Sequence, residues 1–398
     1  MKNSKHLLLL VFLLCVQWGH AQKKEIDLTA YSFTMTSLDD EKLTTLMNEK
    51  LENSRFVFIG EQHGIKSAAE VTAHLYKLGL GHGYNTLCVE TDDLVAQKLK
   101  SMTASGDFTA AMKAHYKEYP YTIPFYNNED DHVLFDLVHA QKGDFWGIDQ
   151  TFVVQFRYNL DYLNEHGSNA KLKQLSAQLK KDADAAFAKA VETKDPSAPY
   201  IFQYDEATHN QLLAAAGTET EKEIARQMWK TKEIYSYYFQ GKGYQNNEVR
   251  GRLMKSNFMR YWKEALAQDK DPKVIFKLGA NHAARGLTRT NIFDIANLGS
   301  ELAISQGESS VHVAVLGLKG KAATGNPFAP APVMEFDNTD QLPEEVQKIV
   351  AEMTDKYFVM NLAPLRDHAR RFSEEMKDTI FKYDVLILVN GAEAVRSF

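Results

Sequence analysis

Apolar residues along this chain keep two rhythms. Short, nearly continuous runs rich in β-branched and aromatic side chains occur at residues 55–59, 84–89, 144–148, 274–278, 311–316 and 385–389. Such runs suit strands buried on both faces of a sheet. Between them the apolar positions fall three and four apart. In 65–80, for example, Ala69, Val71, Leu75, Leu78 and Leu80 share a face before Gly79 and Gly81 end the pattern. That is the period of a helix with one buried side. Strand, helix, strand over 55–89 is a βαβ unit, which implies parallel strands and a right-handed crossover. Its helix starts just past His63, so its amide end is expected to face the same crevice as the strand ends. Further helices are expected at 37–51, behind a Ser37 or Asp cap, at 92–102, at 133–141 and at 342–353, where Pro343, Glu344 and Glu345 make a good start. Residues 320–332, rich in Gly, Ala and Pro, suggest a loop.

Two stretches break the alternation. Residues 105–132 carry Tyr116, Tyr119, Tyr121, Phe125 and Tyr126, interrupted by Pro120 and Pro124. This fits either a pocket rim or a packed irregular loop. From 152 to about 268 helix formers dominate, with Leu160, Leu163, Leu172, Leu179, Ile224, Met228 and Ile234 at helical spacing. The expected architecture is therefore α/β: a mainly parallel β-sheet flanked by helices, in one domain over 22–398. A helical insertion, or lid, interrupts it at about 152–268. The tyrosines 235, 237 and 238 of that insertion, with the aromatics of 116–126, are candidates for a substrate wall.

The first residues change the picture of where the chain works. Lys2 and Lys5 precede an apolar core at 7–16 that is short for a membrane span, and Gly19 and Ala21 stand before Gln22 as small residues do at a cleavage site. Residues 1–21 are expected to be a signal peptide, with export to the periplasm or outside the cell and no transmembrane segment after cleavage. Cys88 is then the one remaining cysteine, which rules out an intrachain disulfide, and it sits inside a strand run as a small core residue. The net charge is −6 and no Lys/Arg block is present, so nucleic acid is excluded as a partner. A small-molecule substrate or ligand is the partner left.

Open α/β sheets bind ligands at the carboxyl ends of their strands. Here those ends deliver Glu61 and His63, Glu90, Asp149, and His282 with Arg285. Histidine serves as a base near neutral pH, a neighbouring carboxylate fixes its tautomer, and a guanidinium holds a developing oxyanion. Together they could activate water for hydrolysis without a side-chain nucleophile. The same types suit a zinc, manganese or iron site, with His63, Glu61, Glu90 and His282 as the candidate ligands, although the spacing matches no metal signature. There is no HExxH, CxxC, GxGxxG, Walker or GxSxG pattern.

Four motifs carry a resemblance. They are the strand closed by Gly60-Glu61-Gln62-His63-Gly64, the strand ending in Glu90, Gly147-Ile148-Asp149-Gln150, and Ala280-Asn281-His282-Ala283-Ala284-Arg285-Gly286, the last followed by Asn297-Leu298-Gly299-Ser300-Glu301-Leu302. Arg250, Met254 and Asn257 add an arginine-led helix before the last of them. In this order the chain resembles the erythromycin esterase-like/ChaN-like superfamily. The resemblance implies an α/β fold with a helical insertion and a cleft holding Glu61, His63, Glu90 and His282. In the esterase branch a histidine of the first motif activates water to open a macrolactone. On that pattern His63 is the base, Glu61 and Glu90 orient it, and His282 and Arg285 support the transition state. The ChaN-like branch is associated with haem binding and iron uptake, and a more distant branch with metal-dependent peptidases. The resemblance thus leaves the cofactor open between none, a divalent metal and haem. Two departures stand out. The esterases place their first histidine three residues after the glutamate, whereas His63 follows Glu61 by two. Gly279 stands where the esterases carry the first of a histidine pair.

Overall fold

A computed structural model describes residues 26–268 and 270–398; the expected signal peptide lies outside the described residues. The strands in chain order are β1 (Ser32–Met35), β2 (Ser54–Glu61), β3 (Tyr84–Val89), β4 (Asp144–Gly147), β5 (Lys273–Gly279), β6 (Ser309–Gly317), β7 (Lys319–Ala323), β8 (Val333–Asp337), β9 (Tyr357–Asn361) and β10 (Val385–Val389). Eight of them form one sheet in the order β1-β9-β10-β6-β2-β5-β3-β4. The six from β10 to β4 are parallel, and β9 and β1 add an antiparallel edge. This is the α/β, mainly parallel architecture expected, and the six continuous apolar runs are its six parallel strands.

The continuous runs follow from burial on both faces. All eight residues of β2 are buried. Val57 and Ile59 face one layer, with the helices Glu41–Glu52, Lys66–Leu80, Asp93–Ala104 and His132–Ala140. Phe56 and Phe58 face the other, where Phe276 of β5 packs with Met254, Phe258 and Trp262. Alternation of side chains along a strand makes both sets apolar. The last three residues belong to the helix Gly243–Ala267, so the final helix of the insertion is part of the sheet's own core. The preceding helices Phe156–His166, Ala170–Thr193, Glu206–Ala215 and Glu219–Phe239 share a separate core that includes Phe156, Leu160, Leu172, Tyr204, Leu212 and Met228.

Four details depart from the sequence pattern. β2 and β3 are not neighbours, because β5 returns from the helical stretch and slots between them. Residues 320–332 are not all loop: β7 pairs with β8 in an antiparallel hairpin. A helix, Phe108–Glu118, occupies the first half of the aromatic stretch, burying Phe108, Met112 and His115. The first amide of Lys66–Leu80 is not turned to the crevice either, since Lys66 N–H donates to the Glu393 carbonyl. Among the described residues no helix is long and apolar enough to cross a membrane.

Candidate active site

The insertion of β5 between β2 and β3 builds the site, because it brings the residues after all three strands to one edge. Glu61 closes β2, Glu90 follows β3, and Gly279 closes β5 directly ahead of the short helix Ala280–Ala283 that carries His282. His63 Nδ1 lies 3.0 Å from Glu61 Oε1, and its Nε2 lies 3.6 Å from Glu90 Oε2. His282 repeats the pattern: Nδ1 is 2.7 Å from Asp294 Oδ2, and Nε2 is 3.5 Å from Glu90 Oε1. The two imidazoles thus turn the same nitrogen to one shared carboxylate, each backed by an acid of its own. The Nε2 distances to Glu90 exceed a direct hydrogen bond, while those to the backing acids are hydrogen bonds. Asp294 has two tasks, since its other oxygen caps the helix Ile295–Ser305 at the Ile295 amide.

Two cations, Arg250 half-buried and Lys277 buried, hold the carboxylates. Arg250 reaches across from the helix Gly243–Ala267, giving Nη2 to Glu90 Oε1 at 2.8 Å and a two-point fork to Asp149 at 2.9 and 2.5 Å. Such forks are the strong, orientation-fixing form of the ion pair. Lys277 projects from the middle of β5, only 2% exposed, to Glu61 Oε2 at 2.7 Å and Asp131 Oδ1 at 3.3 Å. Glu90 also accepts the Gly279 amide at 2.5 Å.

The ionisation pattern follows from these contacts. Burial pushes the Glu90 carboxyl up, but the charges of His282, His63 and Arg250 and the Gly279 amide outweigh it and bring it down to about 2. Burial also raises Glu61, and Lys277 with the His63 hydrogen bond overturns that, leaving it below its ordinary value. Asp131 goes the other way: burial and the Glu61 charge leave it above its ordinary value despite Lys277. Burial works against a charged His282, yet Asp294 and Glu90 raise it above the usual histidine range. The two imidazoles are therefore in unlike surroundings. His282 is buried between two anions, whereas the His63 side chain keeps 31% of its surface exposed.

The aromatic stretch supplies the remaining wall. Phe125 stacks on His63 with ring centroids 3.9 Å apart, and holds a left-handed backbone (φ 64°) to do so. Strain of that kind persists where surrounding contacts over-determine it. They do so here through Tyr126, whose hydroxyl accepts the Glu90 amide at 3.1 Å and donates to the Lys277 carbonyl at 2.9 Å. Tyr235 of the insertion lies within electrostatic reach of Arg250 and Asp149. By contrast Tyr119 turns away to Asp161, and Tyr238 is exposed.

Of the residues singled out in the sequence, Glu61, His63, Glu90, Asp149 and His282 come together. Arg285 does not join them: its guanidinium forks onto Asp384 and reaches the Ser310 carbonyl. Arg250 takes the place expected of it. Lys277, Asp131 and Asp294 escaped the motif reading. A lysine inside the apolar run Val274-Ile275-Phe276-Lys277-Leu278 was the signal for the first of them.

The donor set does not fit a metal ion. The carboxylates of Glu90 and Asp149 converge on the Arg250 guanidinium, and Glu61 on Lys277, so the negative charge a metal would need is already neutralised. No group of three or more His, Cys, Asp and Glu side chains among the described residues is arranged for a metal.

The site is thus an arrangement of two acid-backed imidazoles around one carboxylate on an α/β sheet. No family model matches the sequence, and no curated protein matches it. Solved structures do match. A mutant of the erythromycin esterase EreC in its open conformation superposes with a TM-score of 0.57 at 16% identity, over 90% of this chain and 97% of that one. A Bacillus cereus protein matches with a TM-score of 0.56 at 14% identity, over 93% of this chain and 97% of that one. A succinoglycan biosynthesis protein gives 0.58 at 12% identity, over 93% and 96%. The chain thus shares its fold with these structures, the erythromycin esterase EreC among them.

Proposed function

We propose that the protein is a hydrolase of the erythromycin esterase-like type, cleaving an ester, lactone or amide of a small molecule with water activated by His63. The observation that carries this is the pair of imidazoles facing Glu90, one half-buried and one buried between anions. Pairs of titratable groups with divergent surroundings are how one site supplies both an acid and a base. His63 donates Nδ1–H to ionised Glu61, which leaves the Nε2 lone pair to take a proton from water as its oxygen attacks the carbonyl carbon. His282, whose protonated form Asp294 and Glu90 favour, gives a proton to the leaving oxygen or nitrogen as the acyl bond breaks. Glu90 stays ionised and stabilises whichever imidazole carries the proton, and Arg250 keeps Glu90 in place. No acyl-enzyme forms, in keeping with the absence of a serine or cysteine at the site. The residues at 1–21 further support export of the mature chain, to the periplasm or beyond.

The test is a panel of chromogenic esters, lactones and anilides hydrolysed by the mature protein, beside His63→Ala with its fold checked by circular dichroism. Turnover lost in a folded His63→Ala variant supports the reading. Turnover that survives the substitution, or none on any member of the panel, overturns it.

A further inference from the structure

A cavity of about 910 Å³ opens between the helices Asp93–Ala104, Phe108–Glu118, Phe156–His166, Glu219–Phe239 and Gly243–Ala267. None of Glu61, His63, Glu90, Asp149, Arg250 or His282 lines it. Its size falls within the range of sites for small organic ligands, roughly 300–1,000 Å³.

Among its lining groups Gln227 Oε1 is buried without a hydrogen-bond partner, and His115 offers a second free acceptor. Asp92 is spoken for by the Val95 amide, Thr151 and Gln155. His115 is 7% exposed, and its Nε2 lies 2.9 Å from Thr122 Oγ1. Thr122 has one proton and donates it to the Tyr119 carbonyl at 2.8 Å. Nε2 must therefore be the donor to Thr122, and Nδ1 is left as a bare lone pair without a hydrogen-bond partner among the described residues. Burial, aided by Lys98 and Arg157, pushes this imidazole down to about 3, so it stays neutral and accepting. A second feature points the same way. Eight carboxylates line the cavity against two permanent cations, Lys98 and Arg260. Asp161 on the wall is bonded by the Tyr119 hydroxyl and by no cation. Tyr158, edge-on to His115 at 5.0 Å, and Tyr162 add aromatic surface. Negative walls, aromatic rings and a buried acceptor suit a ligand that is cationic, partly apolar and able to donate.

We propose that this cavity is a second ligand site, separate from the histidine cluster, for a small organic amine bound as its ammonium ion, with an N–H given to His115 Nδ1 and the charge set among the carboxylates around Asp161. A quaternary ammonium has the charge but no N–H, and a neutral alcohol has a donor but no charge. The two arms of the site can therefore be read apart.

The experiment is calorimetric titration of the mature protein with 2-phenylethylammonium, its N,N,N-trimethyl derivative and 2-phenylethanol. The ammonium should bind saturably, and each of the other two about tenfold more weakly, the loss expected for a charge-assisted hydrogen bond. His115→Leu should remove the preference over the trimethyl ion, and His63→Ala should leave the three affinities as they are. Since His115→Leu also removes the bond to Thr122, Asp161→Asn gives a second measure: it should weaken both cations and leave the alcohol unchanged. No saturable binding, equal binding of 2-phenylethanol, or affinities untouched by both cavity variants would overturn the proposal. Loss of binding in His63→Ala would assign the amine to the histidine cluster and overturn it as well.

Discussion

Replacing Lys277 with Met removes the cation on which Glu61 depends. The side chain is buried at the centre of the sheet, 2.7 Å from Glu61 and 3.3 Å from Asp131. At an effective dielectric of about 20 these contacts are worth about 6 and about 5 kcal/mol of attraction, most of it offset by the desolvation of three charges. Removing one partner leaves the others uncompensated, and the expected loss at neutral pH is about 3–5 kcal/mol. The pH dependence distinguishes this from simple packing loss. In the native protein Glu61 is held below its ordinary value of 4.5, so its contribution is present above 4.5 and fades as pH falls through the lowered value. Without Lys277, burial raises Glu61 and Asp131, and the sign reverses: the penalty grows as pH rises through the ordinary carboxylate range. Urea unfolding across that range should show the variant nearest to wild type in acid. Activity should fall too, because a protonated Glu61 no longer fixes the His63 tautomer. A loss below about 1 kcal/mol, or one independent of pH, would refute the reasoning.

Glu90, lowered from 4.5 to about 2, should contribute about 3 kcal/mol that is full above 4.5 and lost as pH falls toward 2; Glu90→Gln should flatten that part of the stability curve, and an unchanged curve would show that Glu90 is not the linked group. Arg250→Ala should lower kcat/KM on the best ester about a hundredfold, whereas Arg285→Ala should cost about 2 kcal/mol of stability, through Asp384, with kcat/KM unchanged; the reverse ranking would return Arg285 to the site. Metal analysis of wild type and His63→Ala should find no stoichiometric zinc, manganese or iron in either, because Arg250 and Lys277 already neutralise the carboxylates. One equivalent present in the wild type and lost in the variant would count against that argument.

The six parallel strands were legible because each is buried on both faces and so spells a continuous apolar run. β1, four residues long, and the exposed hairpin of β7 and β8 lack that signal, since their side chains meet solvent; β9 carries it in Tyr357-Phe358-Val359-Met360 yet was not among the runs read as strands. The strand ends were legible too, as an acid or histidine directly after an apolar run is a local feature. Strand order was not. Nothing in residues 55–89 says that β5, some two hundred residues on, will separate β2 from β3. For the same reason Lys277 and Asp131 stayed hidden, since their partners lie far away in sequence, whereas Asp294 stands only twelve residues after His282 but follows no strand end. Arg285 was assigned by proximity to His282 in the chain, but Asp384, at the start of β10, draws it elsewhere.

The two departures from the esterase pattern meet at one point in space. A Cβ built on Gly279 would lie 2.7 Å from His63 Nε2 and 3.4 Å from Glu90 Oε2. With His63 two residues after Glu61, its ring fills the space that a side chain at 279 would need, so the shortened spacing and the glycine are one feature and not two. Gly279→Ala tests this cleanly, because the backbone there (φ −57°, ψ 145°) accepts any residue and the only new cost is the contact. The overlap should cost about 1–3 kcal/mol if His63 cannot move, and less if it swings off Glu90. In either case hydrolysis should fall and the His63 ring resonances should shift, while those of His282, anchored by Asp294, stay in place. A Gly279→Ala protein with wild-type turnover and an unmoved His63 would separate the two departures and leave the glycine without a role in the site.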